Sequence, residues 1–296
     1  MDILSTIGDL SPVGLESSKI KHAEIIHQKH GHCLYRITHA SQPFILKWFK
    51  NSTTATEVRC YELLEKLGVS TLPVHGHTSN ALLLEDLATS STWRMAIEDD
   101  MDCAETGEAV AVWYFTLHEA GREFLRETER VPDFLGRESD ALSPESIEET
   151  GRKLDLVDHP VWSLAAAHIE WLKEAMQALS ETFTYNDFYW GNLALSREEP
   201  KVRAIVYDYH MMGVGLPYSD CRNVVGSLGN RAVDAFWSTY GSTDEREKRL
   251  DEATSPLYAL VVASQRRSFP QWAQESLNMV RSDEMERRIQ RALEVR

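Results

Sequence analysis

The stretch Tyr185–Asn192, YNDFYWGN, sets a carboxylate and a carboxamide five residues apart, between two short apolar, strand-like runs, TFTY before and LAL after. A second carboxylate, Asp208, closes a further strand-like run over residues 202–207. Strands of this kind end in turns, so Asp187, Asn192 and Asp208 are expected on adjacent strand ends. Their types suit metal-assisted phosphoryl transfer. A carboxylate can orient a hydroxyl and accept its proton, and Mg²⁺ takes hard oxygen ligands from a carboxylate and an amide. Each residue alone also fits a plain turn, because Asp, Asn and Gly favour turns. The ordered set is what points to chemistry.

The set resembles the catalytic loop and metal-binding segment of the protein-kinase-like fold, in its aminoglycoside phosphotransferase and choline kinase branch. Kinases carry HRDxxxxN followed by DFG. Here Tyr185, Asn186 and Asp187 precede four residues and Asn192, and Asp208 is followed by Tyr209 and His210. Tyr185 stands in the His position and His210 in the Gly position. The resemblance implies an α+β, bilobal fold, with a small β-rich N-terminal nucleotide-binding lobe, residues 1–87, and a larger, mainly helical lobe, residues 88–296, with the catalytic loop and substrate site. It implies Asp187 as catalytic base and Asn192 and Asp208 as metal ligands.

Composition is that of an ordinary globular chain: 296 residues, 43% hydrophobic and 26% charged, long enough for a sizeable core or two lobes. The formal charge of −15 argues against a nucleic-acid partner and is compatible with cationic small molecules. Cys33, Cys60, Cys103 and Cys221 are scattered with no CxxC pair, so neither a zinc site nor a disulfide framework is suggested. No run approaches the ~18 apolar residues of a membrane span, and a cytoplasmic protein without a membrane partner is expected.

Three β segments, residues 24–30, 32–38 and 43–49, read as a meander separated by Gly31 and the polar turn 39–42. The third, with FILKWF, carries Lys47 inside an apolar run, where an unpaired ammonium would be costly, so Lys47 needs an anion or must snorkel to water. The next helix, residues 54–67, puts Glu57 on the stripe with Cys60, Tyr61, Leu64 and Leu67. Glu57 is a candidate partner for Lys47, and it also fits a capping box with Thr54. In the kinase-like reading Lys47 holds the nucleotide phosphates and pairs with this glutamate. Gly31 falls far short of a glycine-rich phosphate loop. His22, His27, His30 and His32 lack the partners of a metal site. Residues 81–87, ALLLEDL, read as a buried strand leading to a Ser/Thr-rich linker at 88–92. By resemblance this is the hinge, where the backbone from Glu85 to Leu87 would hold an adenine edge.

Beyond it, residues 109–118 read as a buried helix stopped at Gly121. The charged segment 122–158 reads as a solvated surface, with a substrate-facing insertion as the alternative, and holds a helix opened by Ser143 and Pro144. Trp162, Ala165, Ala166, Ile169, Leu172, Met176 and Leu179 form a helical stripe over 160–179. Phe188, Tyr189 and Trp190 read as core anchors of the loop, with substrate stacking as the alternative. Asp220 resembles the aspartate that braces the catalytic loop, and helix capping by Ser219 or Asp220 is an equal alternative.

No GxxxxGK(S/T) loop, GxSxG elbow or HExxH is present. The resemblance implies transfer of a γ-phosphate, from ATP or another NTP with Mg²⁺, to a hydroxyl of a small molecule, such as an aminoglycoside or amino alcohol. The alternative is a catalytically silent nucleotide-binding module of the same fold.

Overall fold

The computed structural model describes residues 10–29, 31–51, 55–128, 130–197 and 200–294. The N-terminal region is β-rich. It contains β1 (Ile20–Lys29), β2 (His32–His39), β3 (Gln42–Phe49), helix α1 (Thr56–Lys66), β4 (Val74–Thr78), β5 (Ala81–Glu85) and β6 (Trp93–Met95). The long helix α2 (Ala104–Glu127) follows, then β7 (Gly136–Arg137), α3 (Pro144–Leu154), α4 (Pro160–Gln177) and four short strands. These are β8 (Thr182–Thr184), β9 (Leu193–Ser196), β10 (Ala204–Val206) and β11 (Gly213–Gly215). The chain ends in α5 (Pro217–Ser227), α6 (Asn230–Tyr240), α7 (Glu245–Ser264), α8 (Gln274–Val280) and α9 (Asp283–Leu293). It is an α+β protein with a β-sheet N-terminal region and a helical C-terminal region, as expected. No helix among the described residues is long and apolar enough to cross a membrane.

Two compact units are present, one of Met1–Leu117, Asp187–Met212 and Val224–Tyr240, the other of His118–Asn186, Gly213–Asn223 and Gly241–Arg296. In the first, an antiparallel sheet has the order β1-β2-β3-β5-β4. The expected meander is its first three strands. The β2–β3 turn is tight because Ala40 and Ser41 both take positive φ, 49° and 76°, which matches the strand twist. Alternate residues Cys33, Tyr35 and Ile37 of β2 meet Phe44 and Leu46 of β3 in one core, together with Leu10, Val13 and Leu15. Helix α1 starts at Thr56 behind Ala55, which supplies no side-chain cap; Thr54 lies outside the described residues. A second sheet, β10-β9-β6, pairs β9 antiparallel with both β10 and β6. Strand β6, just past the Ser/Thr-rich linker, was not foreseen, because three residues are too few to show a period.

In the second unit, the α4 stripe is buried as expected, with Ala165, Ile169 and Leu172 at 0% exposure in a core shared with α3, α7 and α9. Ser143 caps α3 by accepting a hydrogen bond from Ser146 N (3.2 Å), with Pro144 in its first turn. The expected stop at Gly121 is overturned, for α2 runs on to Glu127. A Cβ at Gly121 would meet Phe183 N at 2.4 Å and Thr182 Oγ1 at 2.5 Å. The glycine lets β8 approach the helix closely rather than ending it. Strand β8 pairs with β11, and β11 with β7, which fixes the segment that runs into the YNDFYWGN loop.

Candidate active site

Lys47 projects from β3 with its side chain 6% exposed, and an ammonium so placed requires a counter-charge. Two are supplied. Its Nζ lies 2.5 Å from Glu57 Oε2, on the buried stripe of α1, and donates to Asp208 Oδ1 at 2.9 Å. Burial pushes the Lys47 pKa down, but Glu57 and Asp208 outweigh it and hold the group protonated, above its ordinary value. Glu57 is thus an ion-pair residue, reached because a helical spacing puts it in register with Cys60, Tyr61 and Leu64, all buried.

Asp208 follows β10 in the left-handed region (φ 70°, ψ 68°), which Asp tolerates better than most side chains. Its Oδ1 also lies 2.8 Å from His210 Nδ1. Burial raises its pKa, yet the hydrogen bond from His210 and the Lys47 charge hold the carboxyl well below the usual range. His210 is in turn raised, first by its hydrogen bond to Asp208. The His in the Gly position therefore sets a hydrogen-bonding ring nitrogen against the Asp208 carboxylate, which a glycine there does not offer.

Asp187 and Asn192 are joined directly. Asn192 Nδ2 donates to Asp187 Oδ2 at 2.8 Å and to Asp187 O at 3.0 Å. The Asp187 pKa is raised by burial, with His210 pulling it down and Asp208 pushing it up. A carboxylate of raised basicity is a better proton acceptor near neutral pH. The orientation of Asn192 leaves its Oδ1 free of the Asp187 contacts, and Asp208 Oδ2 takes no part in the Lys47 and His210 contacts. Two hard oxygens of this kind fit Mg²⁺. No group of three His, Cys, Asp or Glu with metal-holding geometry occurs among the described residues, so other ligands would be water and phosphate oxygens, as is usual for this ion.

Of the residues singled out from sequence, Lys47, Glu57 and Asp208 form one contiguous set, and Asp187 with Asn192 another whose electrostatics couple to the first. Glu85 and Leu87 make no hydrogen bond to either. They lie at the end of β5, where Glu85 N donates to Pro73 O (3.0 Å) and Leu87 O accepts from Arg197 Nη2 (3.5 Å). Gly31 turns the chain at φ 86°, and His30 lies outside the described residues.

Asp220 settles between its two alternatives. Its Oδ2 accepts from Tyr185 N at 2.7 Å and its Oδ1 from Asn186 N at 2.9 Å, with His118 Nε2 3.3 Å from Oδ2. It braces the backbone immediately before Asp187. Tyr185 is fully buried. The aromatic run divides: Phe188 is buried against Tyr114 (centroids 5.9 Å), but Tyr189 and Trp190 are 47% and 42% exposed, so core anchoring holds for one of the three. Glu138 was missed. Its Oε1 accepts from Thr184 Oγ1 at 2.7 Å and from Asn186 Nδ2 at 2.9 Å. Nothing distinguishes it in sequence from the other acids of the charged segment around it.

The sheet, the ion-paired lysine and the loop define a scaffold of the protein-kinase-like phosphotransferase type. Residues 30–252 match the model of the phosphotransferase enzyme family APH, and the chain belongs to that family. Its structure is similar to that of an ethanolamine kinase from Plasmodium vivax (TM-score 0.58, 11% identity, covering 92% of this chain and 85% of that one). It is similar also to a macrolide 2'-phosphotransferase from Brachybacterium faecium (TM-score 0.57, 12% identity, 94% and 96%). A third is a spectinomycin phosphotransferase in complex with ADP and spectinomycin (TM-score 0.54, 12% identity, 95% and 94%). At such identities the likeness is one of fold. No curated protein matches the sequence.

Proposed function

We propose that this protein transfers the γ-phosphate of ATP, or of another NTP, to a hydroxyl of a small molecule in a Mg²⁺-dependent reaction. The observation that carries the reading is the buried Lys47 ammonium held between Glu57 and Asp208, at 2.5 and 2.9 Å. So expensive an arrangement suits an anion-binding point charge better than a fold-stabilising pair. Lys47, kept charged and aimed by Glu57, binds the nucleotide phosphates. Asp187, raised by its surroundings and fixed by Asn192, orients the acceptor hydroxyl and takes its proton. Asn192 Oδ1 and Asp208 Oδ2 would hold the magnesium, whose contribution is to neutralise charge on the transferring phosphoryl group. The backbone from Glu85 to Leu87 receives the adenine edge, residues 1–87 serve the nucleotide, and residues 88–296 carry the catalytic loop and the acceptor.

The relatives named above carry ethanolamine, macrolides and spectinomycin in their names, and a chain of net charge −15 favours a cationic acceptor such as an amino alcohol or aminoglycoside. Thermal stabilisation by ATP with and without Mg²⁺, followed by a panel of amino alcohols, aminoglycosides and sugars, tests the reading. Binding enhanced by Mg²⁺ and turnover with one acceptor class are expected. Binding without turnover across the panel would favour a silent nucleotide-binding module.

A further inference from the structure

The second unit contains an acid that the phosphotransfer chemistry does not use. Glu138 follows β7 in a short turn, and its carboxyl group lies against β11: a Cβ placed on Gly215 would meet the Glu138 carboxyl atoms at 2.7 to 2.9 Å. A glycine at that point is what lets the acid come so close to the strand. Its Oε1 then accepts two hydrogen bonds, from Thr184 Oγ1 (2.7 Å) and Asn186 Nδ2 (2.9 Å), while Asn186 Nδ2 also reaches Thr184 Oγ1 at 2.9 Å. The three side chains close a triangle. Ser219 Oγ approaches the other oxygen at 3.4 Å.

Asn186 needs such a tie. It sits at φ 66°, in the left-handed region, and its own peptide joins it to Asp187. Such a conformation costs a non-glycine residue energy and persists when the surroundings over-determine it. Asp220 fixes the two N–H groups, and Glu138 fixes the Asn186 side chain from another direction.

We propose that Glu138 is a positioning residue for the catalytic loop: by holding Thr184 and Asn186 it sets the direction in which the chain delivers Asp187. The functional half of this inference rests on the phosphotransfer reading; the anchoring half does not. Misplacing a catalytic group by about 1 Å costs turnover rather than nucleotide affinity.

The test is amide hydrogen exchange on the full chain, comparing wild type with Glu138→Ala, Glu138→Gln and Thr184→Val, together with nucleotide turnover of the same proteins. Glu138→Ala is expected to speed exchange over residues 185–192 at least tenfold and leave α7 to α9, in the same unit, unchanged. Glu138→Gln, which keeps a carbonyl acceptor for both donors, restores most of the protection. Thr184→Val gives a smaller increase, and the double variant Glu138→Ala with Thr184→Val gives no more than Glu138→Ala alone, as expected of two members of one network. Should Glu138→Ala fail to fold, the Gln and Val variants still rank in that order or overturn the proposal. Turnover in Glu138→Ala falls at least tenfold in kcat with the KM for nucleotide within threefold. Unchanged exchange at 185–192, or an increase spread evenly over the unit, refutes the anchor. Altered exchange in the variants beside a wild-type chain that turns over no nucleotide refutes the phosphotransfer reading while leaving the anchor standing.

Discussion

Replacing Glu57 by Gln removes one charge from the ion-paired set and leaves its shape. At 2.5 Å and an effective dielectric of 20, the Lys47–Glu57 attraction is about 7 kcal/mol before desolvation is subtracted. Breaking a buried pair by removing one partner costs about 3–5 kcal/mol. The low end applies here, because Asp208 remains 2.9 Å from Lys47 and a Gln carbonyl can still accept. A loss of about 3 kcal/mol in stability corresponds to a fall in Tm of about 5 °C for a chain of this size. With Glu57 neutral, Lys47 is drawn wholly to Asp208 and loses its second fixed direction. A loss of about 2–3 kcal/mol in transition-state stabilisation then corresponds to a decrease in kcat/KM of about 30- to 150-fold. The assay is Mg²⁺-dependent nucleotide turnover beside thermal unfolding of the same preparation. A variant with lowered Tm but kcat/KM within threefold of wild type would show that Glu57 only stabilises the fold. One unchanged in both would refute the ion-pair account altogether.

Asp220→Asn takes one acceptor from the two N–H groups before Asp187 and turns an amide donor toward them; kcat is expected to fall 10- to 100-fold with nucleotide affinity near wild type, measured by steady-state kinetics and nucleotide-dependent thermal shift. Gly121→Ala gains about 1 kcal/mol of helix propensity but drives its methyl into Phe183 N, which backbone cannot cheaply avoid; denaturant unfolding should show a net loss of about 1–3 kcal/mol. Burial pushes the Glu247 carboxyl up to about 7, so the folded chain keeps a proton there that the unfolded chain releases from about 4.5 upward. Stability from this group is present at low pH and is lost as pH rises through about 7. Glu247→Gln should flatten that decline between pH 5 and 8 by up to about 3 kcal/mol in urea titrations.

Much of the site could be read from the sequence because its members obey periodicities. Lys47 interrupts an apolar strand, Glu57 falls on a helical stripe, and Asp187 and Asn192 bracket a loop between two apolar runs. What stayed hidden depends on which surfaces meet. Gly121 has the spelling of a helix stop, and its use for close approach is visible only once β8 lies beside α2. His210 differs from the Gly of DFG, and its hydrogen bond to Asp208 follows from a left-handed turn at Asp208 that sequence does not specify. Tyr189 and Trp190 are exposed although three aromatics in a row read as core, and of the three only Phe188 is buried, against Tyr114 of α2.

Loss of the Asp187 carboxylate should remove the proton acceptor and leave the nucleotide site in place. With Mg²⁺, ATP and a phosphate-accepting amino alcohol, aminoglycoside or sugar identified by the panel, transfer followed by ³¹P NMR compares wild type with Asp187→Asn. Asparagine keeps the size of the side chain and its hydrogen bonding with Asn192 while removing the base. The account predicts a new phosphate monoester from wild type and at least a 100-fold slower appearance of it from Asp187→Asn, within the range that general base catalysis contributes, with the thermal shift by Mg²⁺ and ATP retained. Equal rates from the two proteins would contradict it.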